Sequence, residues 1–255
     1  MQFAANLSML FPAETSFSDR CRRVAEQGFQ HVELLFPYKQ PACEYQKELK
    51  KHGLRAVLIN TPNQAGDFGY AALAGREKDF QAAFEHALQV AQTLNTRAIH
   101  VMAGTIEQDT QRNWRSILCA NLTDALNRVQ GTEIVLQLEA LNAHDVPNYA
   151  YSDPLTLLPI IEEFKHPQLG LQFDFYHTLM QGYDLLSVLE RCLPYITHVQ
   201  IAQPHGRTEP DLSRCPVLMQ GLKMLMEYGY QGWIGLEYRP SQSFENSLDF
   251  LHQCL

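Results

Sequence analysis

The sequence of 255 residues has no basic arm, no run of Lys or Arg and no long apolar stretch. Its formal net charge is −8, which argues against a nucleic-acid partner, because a phosphate backbone is normally met by a basic face. None of its apolar stretches approaches the roughly 20 residues of a membrane span. The start, MQFAANLSMLF, lacks the basic residues and the cleavage site of a signal peptide. We therefore expect a cytoplasmic protein that binds neither nucleic acid nor membrane.

Paired cysteine motifs are also absent. The six cysteines are scattered and form no CxxC pair, lying at Cys21, Cys43, Cys119, Cys192, Cys215 and Cys254. Because disulfide frameworks and zinc knuckles need paired spacings, we expect reduced thiols.

Eight short β-type runs alternate with helix-type runs along the chain. The predicted strands are Phe3–Asn6, His31–Phe36, Ala56–Asn60, Ala98–Met102, Ile134–Glu139, Leu169–Asp174, His198–Ile201 and Trp233–Glu237. Strict alternation with nearly continuous apolar strands predicts a parallel sheet covered on both faces. Eight units in about 250 residues match the size of a (β/α)8 barrel. A doubly wound open sheet, the alternative, would be expected to carry a glycine-rich turn after its first strand, and ANLSMLFP has no glycine. We predict a single-domain α/β protein, a (β/α)8 TIM barrel over residues 1–255.

One connection in this pattern is unusually long. The segment TPNQAGDFGYAALAGREK, residues 61–78, is rich in Gly and Ala and exceeds the usual length of a βα loop. We predict an active-site loop there that covers the ligand.

Four consecutive strands end in a side chain that carries oxygen. They contribute Glu139 in VLQLEALN, Asp174 in LQFDFYH, Gln200 in THVQIAQ and Glu237 in WIGLEYRP. The C-terminal strand ends of a barrel form one rim, where ligands gather. A carboxylate within such apolar surroundings is costly unless it is paired or bound to a cation. Any one of the four alone could be a salt-bridge partner or a helix cap, but the set predicts a common site.

The donor set predicts which cation that site would hold. Three carboxylates in one place repel one another, so that one or more would take up a proton or a divalent cation would compensate their charge. All four donors are oxygens, which favour Mg2+ or Mn2+ over Zn2+ or copper. We predict a metal site made of Glu139, Asp174, Gln200 and Glu237.

Two further residues are candidates for binding the substrate. His177 follows Asp174 by three residues and should lie just above it, with a solvent-facing position as the alternative. Arg207, in the loop QPHGRTEP, could hold a substrate carboxylate with two hydrogen bonds, and the alternative is a solvated loop charge.

Other polar residues near strand ends have weaker predictions. His198 precedes Gln200 by two residues and is expected on the same face but deeper, as a core histidine. Glu33 and His100 are candidates for the polar rim.

With these positions identified, the chain resembles the hydroxypyruvate isomerase family, part of the xylose-isomerase-like barrel superfamily. The resemblance lies in FAANLSMLF at 3–11, VELLFPY at 32–38, AGRE at 74–77 and YQGWIGLEYRP at 230–240. It covers essentially the whole chain, and its first and last motifs are the specific ones. The 2-oxo-tetronate isomerases share nearly all of these motifs.

The resemblance implies the roles of several residues. It implies a TIM barrel with a divalent metal at Glu139, Asp174, Gln200 and Glu237, and it implies that the two glutamates act as acid and base. In wider relatives that isomerise or epimerise sugars, the strand-seven ligand is commonly the second histidine of an HxH pattern. Here that pattern reads His198-Val199-Gln200, which looks like the hydroxypyruvate isomerase branch.

The implied reaction interconverts hydroxypyruvate and tartronate semialdehyde through an enediolate, so the expected partner is a small sugar acid. The loop IAQPHGRTEPDLSRCP replaces the family's HEPGTGEINY-like loop, and AGDFGY replaces its AGDW-type loop, so the substrate stays open. Alternatives are a 2-oxo-tetronate isomerase, a sugar epimerase, a non-catalytic sugar-acid-binding barrel and, from related zinc barrels, an apurinic endonuclease. A homo-oligomer is also left open.

Overall fold

The computed structural model describes residues 1–64, 66–106 and 113–254. Eight parallel strands close into a barrel in chain order. They are β1 Gln2–Asn6, β2 His31–Leu34, β3 Arg55–Asn60, β4 Ala98–His100, β5 Val135–Glu139, β6 Leu169–Asp174, β7 Ile196–Ile201 and β8 Trp233–Leu236. The predicted (β/α)8 barrel is confirmed.

Helices surround this barrel. The described residues contain α1 Phe17–Glu26, α2 Ala42–Lys51, α3 Glu77–Leu94, α4 Trp114–Val129, α5 Leu158–Phe164, α6 Phe175–Met180, α7 Leu185–Cys192 and α8 Pro216–Tyr228. Strict alternation fails at two places. Both α6 and α7 follow β6, and β8 is followed by a 3-10 helix, Asn246–Gln253. None of the helices in the described ranges combines the length and the apolar character needed to cross a membrane.

The predicted strand bounds differ from the observed ones by one or two residues, at the N-terminal ends of four strands and at the C-terminal ends of three. β6 has the predicted bounds, whereas β4 ends at His100 although Met102 is still buried. The amide of Met102 donates to Thr61 Oγ1 at 3.1 Å, a loop contact rather than a ladder contact. Apolar patterning reports burial and not strand pairing, so it extends a strand into any buried loop.

Close packing fixes the position of α6, which begins where β6 ends. Phe175, the first residue of α6, is fully buried against α8. A Cβ atom added at Gly221 of α8 would lie 2.6 Å from Cε2 of the Phe175 ring. Only a residue without a side chain lets α8 approach this closely. The contact holds the first turn of α6 against the barrel rim.

The predicted active-site loop, residues 61–78, includes residue 65, which lies outside the described residues. Within the rest, Ala71 and Ala72 are buried, and their amides donate to the carbonyls of Met102 and Ala103 at 3.2 and 2.8 Å. Asn121 of α4 donates to the Ala71 carbonyl at 2.9 Å. Ala71 and Ala72, at the centre of the loop, are thus hydrogen-bonded to the rest of the barrel. Closure of the loop over a ligand stays a prediction, and it concerns the exposed loop residues before and after these two.

Candidate metal and active site

Asp174 ends β6 and also caps α6. Its Oδ1 accepts a hydrogen bond from the amide of Tyr176 at 2.8 Å, which satisfies one of the unpaired N–H groups at the start of a helix. Its buried Oδ2 has no hydrogen-bond partner among the described residues. An otherwise apolar strand therefore ends in an aspartate that caps the next helix with one oxygen and offers the other to the site.

Glu139 ends the neighbouring strand β5 and is almost completely buried. Its Oε2 accepts from Gln172 Nε2 at 2.7 Å and lies 3.3 Å from His100 Nδ1. Its Oε1 is a second buried oxygen without a partner in the described part of the chain. His100 is neutral, because burial lowers the pKa of its ring to about 3.

His177 lies on α6 with its ring held in one orientation. Oδ1 of Asn142 accepts from the amides of His144 and Asp145, so the Asn142 amide group faces His177 Nδ1 at 2.7 Å, and the Asn142 backbone N–H donates to the same nitrogen at 3.0 Å. Burial lowers the pKa of His177 well below its ordinary value. A neutral ring that accepts at Nδ1 carries its proton on Nε2, which lies 3.6 Å from Asp174 Oδ2.

This tautomer bears on which residues could bind a metal. One ligand atom each of Glu139, Asp174 and His177 lies within 4.8 Å of the others, a spacing compatible with a shared ion. A protonated Nε2 has no lone pair for a cation, however, so His177 is arranged as a hydrogen-bond donor. This supports the predicted contact with substrate and disagrees with a ligand role. The predicted alternative, a solvent-facing ring, is wrong because the side chain is buried.

Arg207 reaches across the rim to Glu237, which directly follows β8. Its Nη2 donates to Glu237 Oε1 at 2.6 Å and lies 3.5 Å from Asp174 Oδ2, and its Nε donates to the Glu237 carbonyl at 3.3 Å. The guanidinium carbon lies 4.6 Å from the centre of the Tyr176 ring, a cation–π contact. The alternative of a solvated loop charge is therefore wrong.

Gln200 lies on β7, fully buried, and it pairs in register with Asp174 of β6 and with Gly235 of β8. Its Nε2 donates to both oxygens of Glu33, at 3.2 and 3.3 Å, and its Oε1 accepts from Gln172 Nε2 at 2.8 Å. His198 Nε2 also contacts Glu33. His198 is thus a buried histidine with a partner, as predicted, and Glu33 is an interior residue beneath the rim.

The charges of this site do not balance. Asp174, Glu139 and Glu237 lie around the guanidinium of Arg207, and Arg239 is a second cation that acts on Glu237. Burial raises the pKa of Glu139 well above its ordinary value, and the carboxyls of Glu237 and Asp174 raise it further. Burial also raises the pKa of Glu237 to about 8 and that of Asp174 to about 6, against the opposing effect of Arg207. Two buried carboxylate oxygens without a hydrogen-bond partner among the described residues, Asp174 Oδ2 and Glu139 Oε1, fit a divalent cation that accepts hard oxygen ligands.

These shifts predict how stability depends on pH in protein stripped of divalent cations. A carboxyl whose pKa is raised by folding binds its proton more tightly in the native state, so its contribution is present at low pH and is lost as pH rises through the native pKa. We expect the melting temperature to fall between pH 5 and pH 8, as the pH rises past the pKa of Asp174 at about 6 and towards the pKa of Glu237 at about 8.

Added Mn2+ should restore more stability at pH 8 than at pH 5. Differential scanning fluorimetry of chelator-treated protein checks this, and Glu237→Gln should flatten the curve near pH 8. A melting temperature that rises steadily across this window in the stripped protein would contradict the expected shifts.

The structure brings the predicted residues to one place and adds others. Glu139, Asp174, Glu237, His177 and Arg207 share the rim, and Gln200 is linked to Glu139 through Gln172, which donates to both. Sequence reasoning missed three positioning residues, Gln172, Asn142 and Tyr176. Gln172 could have been found, because it precedes Asp174 by two residues and period-two alternation places both on one face of β6. Asn142 and Tyr176 carried no such signal.

A closed eight-stranded barrel with buried carboxylates at the C-terminal ends of its strands is a (β/α)8-barrel protein of the kind that binds its ligand at that rim. The model of the family described as "Xylose isomerase-like TIM barrel" matches residues 21–254. The chain belongs to this family.

Full-length relatives agree with this assignment. The 2-oxo-tetronate isomerase of Cupriavidus necator is 38% identical over 256 residues, covering 98% of this chain and 97% of the relative. The hydroxypyruvate isomerase of Escherichia coli K12 is 30% identical over 255 residues, covering 98% of each. A solved structure described as AP endonuclease, family 2, from Brucella melitensis is 34% identical, with a TM-score of 0.91 and coverage of 99% and 98%.

Proposed function

We propose that this protein is an aldose–ketose isomerase that interconverts hydroxypyruvate and tartronate semialdehyde. The observation that carries the proposal is the pair of buried glutamates, Glu139 and Glu237, at one rim of the barrel. Burial raises the pKa of both carboxyls above the ordinary value, to about 8 for Glu237, as is typical of groups that exchange protons during a reaction. The names of the full-length relatives support an isomerase of short sugar acids.

Two proton movements are required. One glutamate would take a proton from C3 of hydroxypyruvate as general base, and the electron pair of that bond would form the C2–C3 double bond of an enediolate. The other glutamate would deliver a proton to C2, while a hydroxyl proton passes from O3 to O2. The overall reaction is an isomerisation, with no net gain or loss of atoms or electrons.

The remaining residues would bind and orient the substrate. Glu139, Asp174, Gln200 and Glu237 would hold Mg2+ or Mn2+, which when bound supplies electrostatic stabilisation of negative charge on the substrate oxygens. The Nε2–H of His177 would donate to a reacting oxygen. Arg207 already contacts Glu237 through Nε and Nη2, and its Nη1 has no partner among the described residues, so that nitrogen would hold the substrate carboxylate.

The main alternative substrate is a 2-oxo-tetronate, which is one carbon longer. The relative at 38% identity carries that activity in its name, whereas the named hydroxypyruvate isomerase of Escherichia coli stands at 30%. The same proton transfers between C2 and C3 would serve either acid.

Deuterium incorporation separates these functions. The protein is incubated with Mn2+ or Mg2+ in D2O, separately with hydroxypyruvate, a 2-oxo-tetronate, a ketohexose and a duplex oligonucleotide containing an abasic site. We expect solvent deuterium at C3 of hydroxypyruvate or at C2 of its isomer, at a rate at least about 100-fold above the protein-free control. Exchange in the 2-oxo-tetronate but not in hydroxypyruvate would indicate the alternative isomerase. Exchange only in the ketohexose would indicate an epimerase, and strand cleavage would indicate an endonuclease. Binding without exchange would indicate a non-catalytic barrel, and each of these four outcomes contradicts the proposal.

A further inference from the structure

Glu33 lies inside the barrel, beneath the residues that the proposed function uses. It is fully buried on β2, and its carboxylate reaches through the barrel interior to His198 and Gln200 of β7 and to Gly235 of β8. A Cβ atom at Gly235 of β8 would overlap the Glu33 carboxylate. Gly235 therefore leaves the space that this carboxylate occupies, which indicates a specific position rather than incidental burial.

Asn6 donates a hydrogen bond to Glu33, and backbone groups fix the orientation of the Asn6 amide. Oδ1 of Asn6 accepts from the backbone amides of Ser8 and Met9, at 3.0 and 3.1 Å. Its amide nitrogen must therefore point the other way, and it donates to Glu33 Oε2 at 2.8 Å. Backbone groups of the loop after β1 thus fix which end of Asn6 faces Glu33.

The same logic continues to the site. A carboxylate can only accept, so Gln200 turns its amide nitrogen to both oxygens of Glu33. Gln200 Oε1 must then point away from Glu33, where it accepts from Gln172 Nε2. The second hydrogen of that nitrogen goes to Glu139 at 2.7 Å.

We propose that Glu33 is a positioning residue that orients the amide of Gln200 so that its oxygen, and not its nitrogen, faces the metal site. The inference rests on the proposed function, in which Gln200 is a ligand. An amide is nearly symmetric in shape, and only its neighbours decide which end faces a cation. A reversed amide would present N–H hydrogens to the cation and weaken its binding.

Metal binding tests this role directly. In Glu33→Gln, one oxygen next to Gln200 becomes an NH2 group. Two hydrogen-bond donors then face each other, which favours the reversed orientation of the Gln200 amide. We expect Mn2+ binding to weaken by about 10- to 100-fold, as for other residues that orient metal ligands, measured by isothermal titration calorimetry without substrate. Glu245→Gln, which removes a partly exposed carboxylate paired with Arg23, is the control and should bind as the native protein does.

Exchanging the carboxylate at position 33 and the amide at position 200 should restore Mn2+ binding. In Glu33→Gln/Gln200→Glu, the new amide at 33 can donate to the carboxylate at 200, and that carboxylate offers an oxygen to the site in either orientation. Net charge and side-chain volume stay nearly the same. We expect an affinity within about threefold of the native value, because the effects of residues in contact are not additive. A purely structural role for Glu33 would not be repaired in this way.

The outcomes are distinguishable. If Mn2+ uptake by the native protein does not change in Asp174→Asn, the metal site of the proposed function fails. If native uptake needs Asp174 but Glu33→Gln binds equally well, or if the folded double variant stays weak, the positioning role fails. Circular dichroism checks folding.

If Glu33→Gln does not fold, Glu33→Asp is the second variant. It withdraws the carboxylate from Gln200 by one methylene and should also weaken Mn2+ binding. Native Mn2+ affinity in Glu33→Asp would overturn the proposal.

Discussion

Replacing either Glu139 or Glu237 by glutamine is expected to lower turnover and isotope exchange of the oxo acid by about 1,000-fold. Glutamine has nearly the same shape and still offers an oxygen, but it cannot take up or release the proton that moves between C2 and C3. Both carboxyls are buried and have raised pKa values, which is the environment of a group that changes protonation during a reaction. The measurement is deuterium incorporation followed by NMR, together with steady-state turnover.

Controls separate lost proton transfer from a lost metal or a lost fold. Glu163→Gln removes an exposed carboxylate paired with Arg115 and should leave exchange unchanged. Circular dichroism and Mn2+ titration of Glu139→Gln and Glu237→Gln show whether each variant is folded and still binds the cation. A variant that binds Mn2+ and turns over at the native rate would refute the role of that glutamate.

Asp174→Asn is expected to weaken Mn2+ binding by at least about 100-fold, and to lower turnover in proportion, while the fold survives. Asparagine caps a helix about as well as aspartate, so the hydrogen bond from the Tyr176 amide to Oδ1 should persist. The change removes the negative charge at Oδ2, the oxygen that Asp174 offers to the site. Calorimetric titration with Mn2+ measures the loss.

A matched control is available at another helix start. Asp184 caps α7 through a hydrogen bond from the Ser187 amide at 2.8 Å, and it is exposed. Asp184→Asn makes the same chemical change away from the site and should not alter Mn2+ binding. Native-like uptake in Asp174→Asn would mean that no cation binds where the carboxylates converge.

Much of this architecture could be predicted from residue patterns. The apolar run Leu169–Asp174 has the predicted bounds, because each strand of a parallel barrel is buried on both faces and its composition shows it. The 3-10 helix Asn246–Gln253 departed from the expected repeat, since a short amphipathic segment does not distinguish i+3 from i+4 hydrogen bonding. The prediction of an isomerase agrees with the names of the full-length relatives.

The candidate site was only partly predictable. Glu139, Asp174 and Glu237 could be placed on one rim because strand ends in a barrel share a level. The contact of Arg207 with Glu237 depends on a loop path that has no periodic pattern. The same holds for Asn142 beside His177, which decides where the imidazole proton lies.

The sequence alone determined which strands form the barrel and which side chains stand at their ends, because apolar composition and periodicity are local properties that each segment carries by itself. The tertiary structure decided the direction of every hydrogen bond that prepares those side chains for chemistry. Glu33 reaches Gln200 only because β2, β7 and a glycine of β8 meet inside the barrel. Amide orientation and proton position depend on atoms from distant segments, and no local pattern records them.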